Sequence, residues 1–211
     1  MSVRRLFSLG NLLLLAGALL LVPPATHWWI AARAQSEGVS ALDSGGKTVE
    51  RAARPVPREG EPLGRLWLPR LGIDAVVFEG TSDGTLRKGP GHLRGTAWPG
   101  DGTSGNCVIS AHRDTFFRRL EGARPNDLVR LHGASGTVTY RLASRRIVTP
   151  EEVEALAPSS DDRLTLVTCY PFHFLGAAPY RLVWRANRVD SDVADSKIRS
   201  SKAEIRVPGP R

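Results

Sequence analysis

Leu164-Thr165-Leu166-Val167-Thr168-Cys169-Tyr170-Pro171 mixes apolar residues with threonines over five positions, then breaks at a cysteine, a tyrosine and a proline. Threonine and valine fit a pleated, half-buried surface, so the run predicts a β-strand with Cys169 at its end, where a loop begins. Similar short runs lie on both sides, at Leu66–Leu68, Ala75–Phe78, Cys107–Ser110, Leu128–Leu131, Val138–Leu142 and Leu182–Trp184. Gly, Pro, Asn and Asp clusters separate them, among them Thr81-Ser82-Asp83-Gly84, Pro99-Gly100-Asp101-Gly102 and His132-Gly133-Ala134-Ser135-Gly136. Short strands at regular spacing imply a closed barrel or a sandwich. Helix is sparse in this reading: one short helix from His112 through Phe116 to Leu120, another from Pro150 through Ala157, with Glu151 and Glu152 in its first turn.

Outward from this core, 63–189, the chain changes character. Residues 1–34 hold an apolar stretch between Arg5 and Arg33, densest from Leu12 to Val22. Leu6 to Ile30 is long enough to span a bilayer as a helix, with Trp28-Trp29 at the level of an interfacial belt. Arg4 and Arg5 would stay on the cytoplasmic side and place the chain beyond Trp29 outside. A cleaved leader, with Ala32-Arg33-Ala34 as the processing site, is the competing reading. Residues 35–62, dominated by Ser, Gly, Ala, Arg and Glu with Pro55, Pro57 and Pro62 towards the end, read as a flexible linker, and 190–211 as a polar tail.

Of 211 residues, 41% are hydrophobic and 24% charged, which suits a folded domain. The net charge is +8, yet the core contributes 17 Lys+Arg against 12 Asp+Glu, scattered among one another. No nucleic-acid-binding motif accompanies that excess, and an anionic lipid or wall polymer explains it as well.

Two cysteines in an exported chain raise a disulfide first. Against it, Cys107 opens the run Cys107-Val108-Ile109-Ser110-Ala111-His112. If that run is extended, Val108, Ser110 and His112 share one face and Cys107 takes the other. Five strand steps also separate Cys107 from His112 by roughly 16 Å. Cys107 without a partner reads as a small buried hydrophobe. His92 and His132 read as turn residues, and His173 comes soon enough after Cys169 to line a site. The histidines and cysteines show no metal-ligand spacing.

Thr165-Leu166-Val167-Thr168-Cys169 matches the Thr-Leu-x-Thr-Cys signature of the sortases, cysteine transpeptidases. Ser110-Ala111-His112-Arg113-Asp114 resembles the segment around their catalytic histidine, and Arg181 in Ala178-Pro179-Tyr180-Arg181-Leu182-Val183 falls where their essential arginine lies. Gly89-Pro90-Gly91-His92 through Pro99-Gly100, and Thr168 through Pro179, look most like class D sortases. Ala111 stands where glycine often precedes the histidine, and Cys107 replaces the usual aliphatic.

The resemblance implies an all-β fold, a mostly antiparallel eight-stranded barrel with short helices, preceded by a transmembrane helix. It implies Cys169, His112 and Arg181 as catalytic residues, with Thr168 as a substrate contact. No organic cofactor is implied, and although some sortases use calcium, no carboxylate cluster stands out here. The implied partners are a secreted protein with a C-terminal Leu-Pro-x-Thr-Gly/Ala-like sorting motif and an amine acceptor such as peptidoglycan. The segment Thr149 to Arg163 would border the peptide groove, and Tyr170 to Tyr180 the amine's approach.

The chemistry fits these residue types. A thiolate opens an amide and its thioester is readily aminolysed. With ordinary pKa values only about 3% of such a thiol is ionised at pH 7, and a nearby arginine raises that share. Arginine cannot act as a base, so proton transfer falls to His112. An exported cysteine peptidase would use the same residues with water as acceptor. A membrane-tethered, non-catalytic binding module is the other alternative.

Overall fold

The computed structural model describes residues 3–44, 56–102 and 104–189. The long helix α1 (Val3–Ser44) comes first, followed by β1 (Pro62–Leu68), β2 (Ile73–Glu79), α2 (Asp83–Lys88), β3 (Gly91–His92) and β4 (Gly105–Ser110). Strands β5 (Leu128–Gly133), β6 (Gly136–Val148), β7 (Asp162–Tyr170) and β8 (Tyr180–Val189) complete it. The strands close into a barrel in the order β1-β2-β3-β4-β7-β8-β6-β5, with β5 pairing back onto β1.

Closure follows from side-chain alternation. Leu66 and Leu68 of β1, Cys107 and Ile109 of β4, Leu164 and Leu166 of β7, and Leu182, Trp184 and Ala186 of β8 all point inward and are buried. Each lies two residues from the next, so one face of every strand is apolar and the set fills a single interior.

The eight strands meet the expectation for the barrel, but pairing is mixed. β2 runs parallel to β3, and β4 parallel to β7 from Gly105↔Asp162 to Ser110↔Val167. Parallel neighbours need a long crossover. Here the β5–β6 hairpin lies between β4 and β7 in the chain and brings β7 back in the direction of β4.

Local departures have local causes. Thr81-Ser82-Asp83-Gly84, read as a turn, starts α2: the Ser82 side chain caps it by accepting from the Thr85 N–H. The two-residue β3 was invisible to a pattern of alternation. The helix expected from His112 is a series of turns ending in the 3-10 segment Arg118–Gly122, and the one from Pro150 shrinks to Val153–Leu156. Asp114 favours a turn over continued helix.

The tether expected over 35–62 begins later than composition suggests. α1 continues to Ser44, and Gln35 is bound to the barrel: Val76 N–H donates to its Oε1 (2.6 Å), and its Nε2 donates to Val76 O and Lys88 O. Gly38 lies so close to Val76 that an added Cβ would stand 2.9 Å from its Cγ1. Further on, Gly60 N–H donates to Glu79 O and Glu79 N–H to Glu61 O, so this end is stitched to β2. Residues 45–55 of the expected linker, and the tail 190–211, lie outside the described residues. Among the described residues no helix is long and apolar enough to cross a membrane.

Candidate active site

Strand β7 carries Cys169 next to its C-terminal end, and β8 starts one residue before Arg181. The two strands are antiparallel in a register that sets Cys169 directly opposite Arg181. Directly opposed residues point to the same face with Cβ atoms about 4.5–5.5 Å apart. Inward positions on these strands belong to Leu166, Thr168 and Leu182, so Cys169 and Arg181 face outward. Cys169 is half-buried and its thiol is free. Arg181 Nη1 donates to Ala178 O (3.0 Å) and Tyr180 O (2.9 Å), which aims the guanidinium along the start of β8.

His112 reaches the same place from the other side of β7. β4 ends at Ser110, paired in parallel with Val167. The next residue continues the contact: Ala111 N–H donates to Val167 O (3.2 Å). The Thr168 hydroxyl then donates to Ala111 O (2.7 Å), a buried bond. These two bonds fix the backbone immediately before His112 against the two residues immediately before Cys169. Beyond it, Phe117 N–H donates to His112 O, and the fully buried Phe117 anchors the turn. Cys169 thus has the histidine's segment on one flank and the arginine's strand on the other, three residues gathered from positions far apart in sequence.

Thr168 is therefore not presented to a ligand. It is 1% exposed and its hydroxyl proton goes to Ala111 O, so the direct substrate contact expected from the signature is replaced by a structural bond. An alternating strand whose cysteine faces outward must turn its preceding threonine inward.

Cys107 lies on the opposite face, in the barrel interior, 1% exposed. Burial, with the carboxylates of Asp162 and Asp101 adding to it, pushes its thiol far above the usual range. Both cysteines are free, so the disulfide is not formed.

The outer faces of β4 and β7 form a surface leading to Cys169. Val108 is level with Thr165, and Ser110 with Val167. Over it folds the 149–161 segment: Ala155 packs with Val148 and Val183, while Leu156 and Val167 lie against them. Asn106 pins this segment by donating from Nδ2 to Ala157 O (3.0 Å), and the Thr165 hydroxyl donates to Asn106 Oδ1 (2.6 Å). Nothing in the sequence singled out Asn106; a lone amide on an otherwise apolar strand was the available signal. On the far side of His112, a cavity of about 850 Å³ opens between α1 and the barrel, lined by His27, Trp28, Leu86, Arg87, His112 and Phe116 among others.

The remaining histidines separate clearly. His92, read as a turn residue, is a buried strand residue: Nδ1 lies 2.8 Å from Glu79 Oε2, Nε2 lies 3.0 Å from Ala97 O, and the ring stacks on Trp98. The Thr96 hydroxyl oxygen lies 3.0 Å from the same Nε2. His132 meets Thr137 on the surface, and exposed His173 reaches Glu121 at 3.2 Å. No group of three or more metal-ligating side chains exists among the described residues.

A barrel with an outward thiol at a strand end, an arginine opposite it and a histidine-bearing segment beside it has the make-up of a thiol-based acyl-transfer enzyme. Residues 66–189 match the Sortase domain family, and the chain belongs to it. It is 34% identical to Sortase D of Bacillus subtilis (strain 168) over 134 residues, 63% of this chain and 67% of that one. A Clostridium perfringens Sortase D5 transpeptidase shares the fold at TM-score 0.63 and 19% identity, covering 76% of this chain and 99% of its own. The C. perfringens sortase C solved with the C-terminal cell wall sorting motif is 28% identical with TM-score 0.57, covering 75% of this chain and 89% of its own. The protein is a sortase-family cysteine transpeptidase similar to class D and class C members.

Proposed function

We propose that the protein cleaves a Leu-Pro-x-Thr-Gly/Ala-like sorting motif after its threonine and transfers the new carboxyl end to an amine of the cell wall. The observation that carries the site assignment is the register Cys169↔Arg181, flanked by the backbone latch before His112.

The peptide lies along the outer face of β4 and β7, under the 149–161 segment, with its scissile carbonyl at Cys169. The Arg181 charge favours the thiolate and stabilises the oxyanion that develops as sulfur attacks. Sulfur bonds to the carbonyl carbon, the C–N bond breaks, and His112 gives a proton to the departing amine. The thioester is then opened by the acceptor amine, whose proton returns through His112 to sulfur, so the thiol is restored.

The same reading makes residues 1–34 a membrane anchor that holds the catalytic barrel on the extracytoplasmic side. Its support is the leucine-rich run of α1, where Leu12, Leu13, Leu14, Leu15, Leu19 and Leu21 are all exposed and unmatched by the barrel. Salt-washed membranes should retain the protein with its N-terminus near Met1; a mature N-terminus at Gln35 in the soluble fraction overturns the anchor.

The test of the activity is a peptide bearing the motif, incubated with enzyme and amine. Mass spectrometry should find a thioester on Cys169 and an amide product, and Cys169→Ala should fold normally and form neither. A covalent adduct in Cys169→Ala refutes the nucleophile. Acid as the sole product at saturating amine favours a hydrolase.

A further inference from the structure

Arg113, the residue after His112, reaches across to the loop beyond Cys169. Its Nη1 donates to Pro171 O (2.9 Å), and its Nη2 donates to Phe174 O (2.8 Å) and Gly176 O (2.9 Å). The guanidinium carbon also stands 5.9 Å from the centre of the Phe174 ring. Three carbonyls within six residues therefore converge on one planar cation, a geometry that a flexible point charge cannot reproduce.

Other ties hold only the two ends of this loop: Phe172 packs against the barrel core and meets Tyr170 edge-on, and Ala178 O accepts from Arg181 Nη1. Residues 171–179 join Tyr170 to Tyr180, and so join the strand of Cys169 to that of Arg181. Among the described residues no backbone–backbone hydrogen bond ties 171–179 to the rest of the fold. Leu175 is 98% exposed and Phe174 43%, so hydrophobic burial anchors neither. His173 and Glu121 meet at 3.2 Å, with side chains 76% and 50% exposed, where an ion pair contributes little. Between those ends, the place of the loop depends on a side chain of the histidine segment.

We infer that Arg113 is a positioning residue for the second half of the reaction: it fixes the 171–179 loop beside the thioester and thereby governs whether an amine or water receives the acyl chain. This rests on the transpeptidation reading above. With an amine, the new C–N bond forms as C–S breaks, sulfur leaves as thiolate, and the amine's proton reaches it through His112. With water, a C–O bond forms instead, and the products are a carboxylic acid and the same thiol. Water is small and present at every orientation, so a loosened loop hardly hinders it. An amine must be delivered at bonding distance and correct angle, and a misplacement of about 1 Å costs on the order of 10²-fold. Slackening the clamp therefore shifts products toward acid.

The test uses the full chain, a motif-bearing peptide, and whichever of hydroxylamine, triglycine or diaminopimelic acid the unmodified enzyme uses best. Acylation rate and amide-to-acid ratio are measured for Arg113→Lys, Arg113→Gln and Phe174→Leu. Arg113→Lys and Arg113→Gln should lower the ratio about tenfold, with acylation falling no more than about threefold. Phe174→Leu removes only the ring contact and should lower the ratio less, in the same direction; it remains informative if Arg113→Gln does not fold. An unchanged ratio in folded variants overturns the inference, as does a loss of acylation as large as the loss of ratio. Failure of the unmodified enzyme to form thioester or amide refutes the transpeptidation reading instead.

Discussion

Thr168→Val separates a structural threonine from a substrate-binding one. The Thr168 hydroxyl is buried, 1% exposed as a residue, and donates at 2.7 Å to Ala111 O. Valine keeps the shape and removes the donor, so no cavity forms but a buried carbonyl loses its partner. That loss is about 1–3 kcal/mol of stability. The catalytic consequence comes through the backbone: Ala111 precedes His112, and one of its two ties to β7 is cut. The Ala111 N–H bond to Val167 O survives, so the histidine segment is loosened rather than released. A drift of about 1 Å costs roughly 10²-fold at most, and with one tie intact about tenfold is expected. Urea unfolding should show the stability loss, and single-turnover acylation should show a fall in rate with KM little changed. Thr168→Ser retains the donor and should restore the rate, losing only about 1 kcal/mol for the missing buried methyl. A direct substrate contact would instead raise KM and leave stability alone. Stability within about 0.5 kcal/mol of the unmodified protein, with acylation within about twofold, would refute the latch.

Arg181→Lys keeps a charge opposite Cys169 but loses the planar fork, and should lower kcat/KM by at least about tenfold, while His112→Ala should cost about 10²- to 10⁴-fold. The kcat/KM profile against pH should be bell-shaped, with limbs that belong to the thiol–imidazole pair jointly. Cys107 gives a different pH signal: its thiol stays protonated in the fold while the unfolded chain ionises from about pH 8.5. The folded state then holds the extra proton, so stability should fall above about pH 8.5 by up to about 1.4 kcal/mol per pH unit. Cys107→Ala should flatten that slope between about pH 8.5 and 10 in denaturant titrations; an unaltered slope there would count against the buried thiol. His92→Ala leaves the buried Glu79 carboxylate with only Arg94, 3.4 Å from its Oε1, and should destabilise by about 1–3 kcal/mol. Its effect on rate should disappear when corrected for folded protein, whereas that of His112→Ala should not.

Seven of the eight strands were legible because alternation is a local property: a strand with one buried face writes its period into its own residues. The same period correctly turned Cys107 away from Val108 and predicted that it would be buried. The cysteine, histidine and arginine were legible as motifs, but not their mutual placement. The bonds that bring Ala111 to Val167 and Thr168, and the register that sets Cys169 against Arg181, join segments about 57 and 12 positions apart. Such pairings depend on the order in which strands close, which no run of residues records. Barrel closure also decided what single residues do. It made Thr168 a buried donor, made His92 the partner of a buried glutamate, and carried the Arg113 guanidinium to the loop beyond Cys169. A polar side chain's role is fixed by the partner it meets once water is excluded, and that partner comes from elsewhere in the chain.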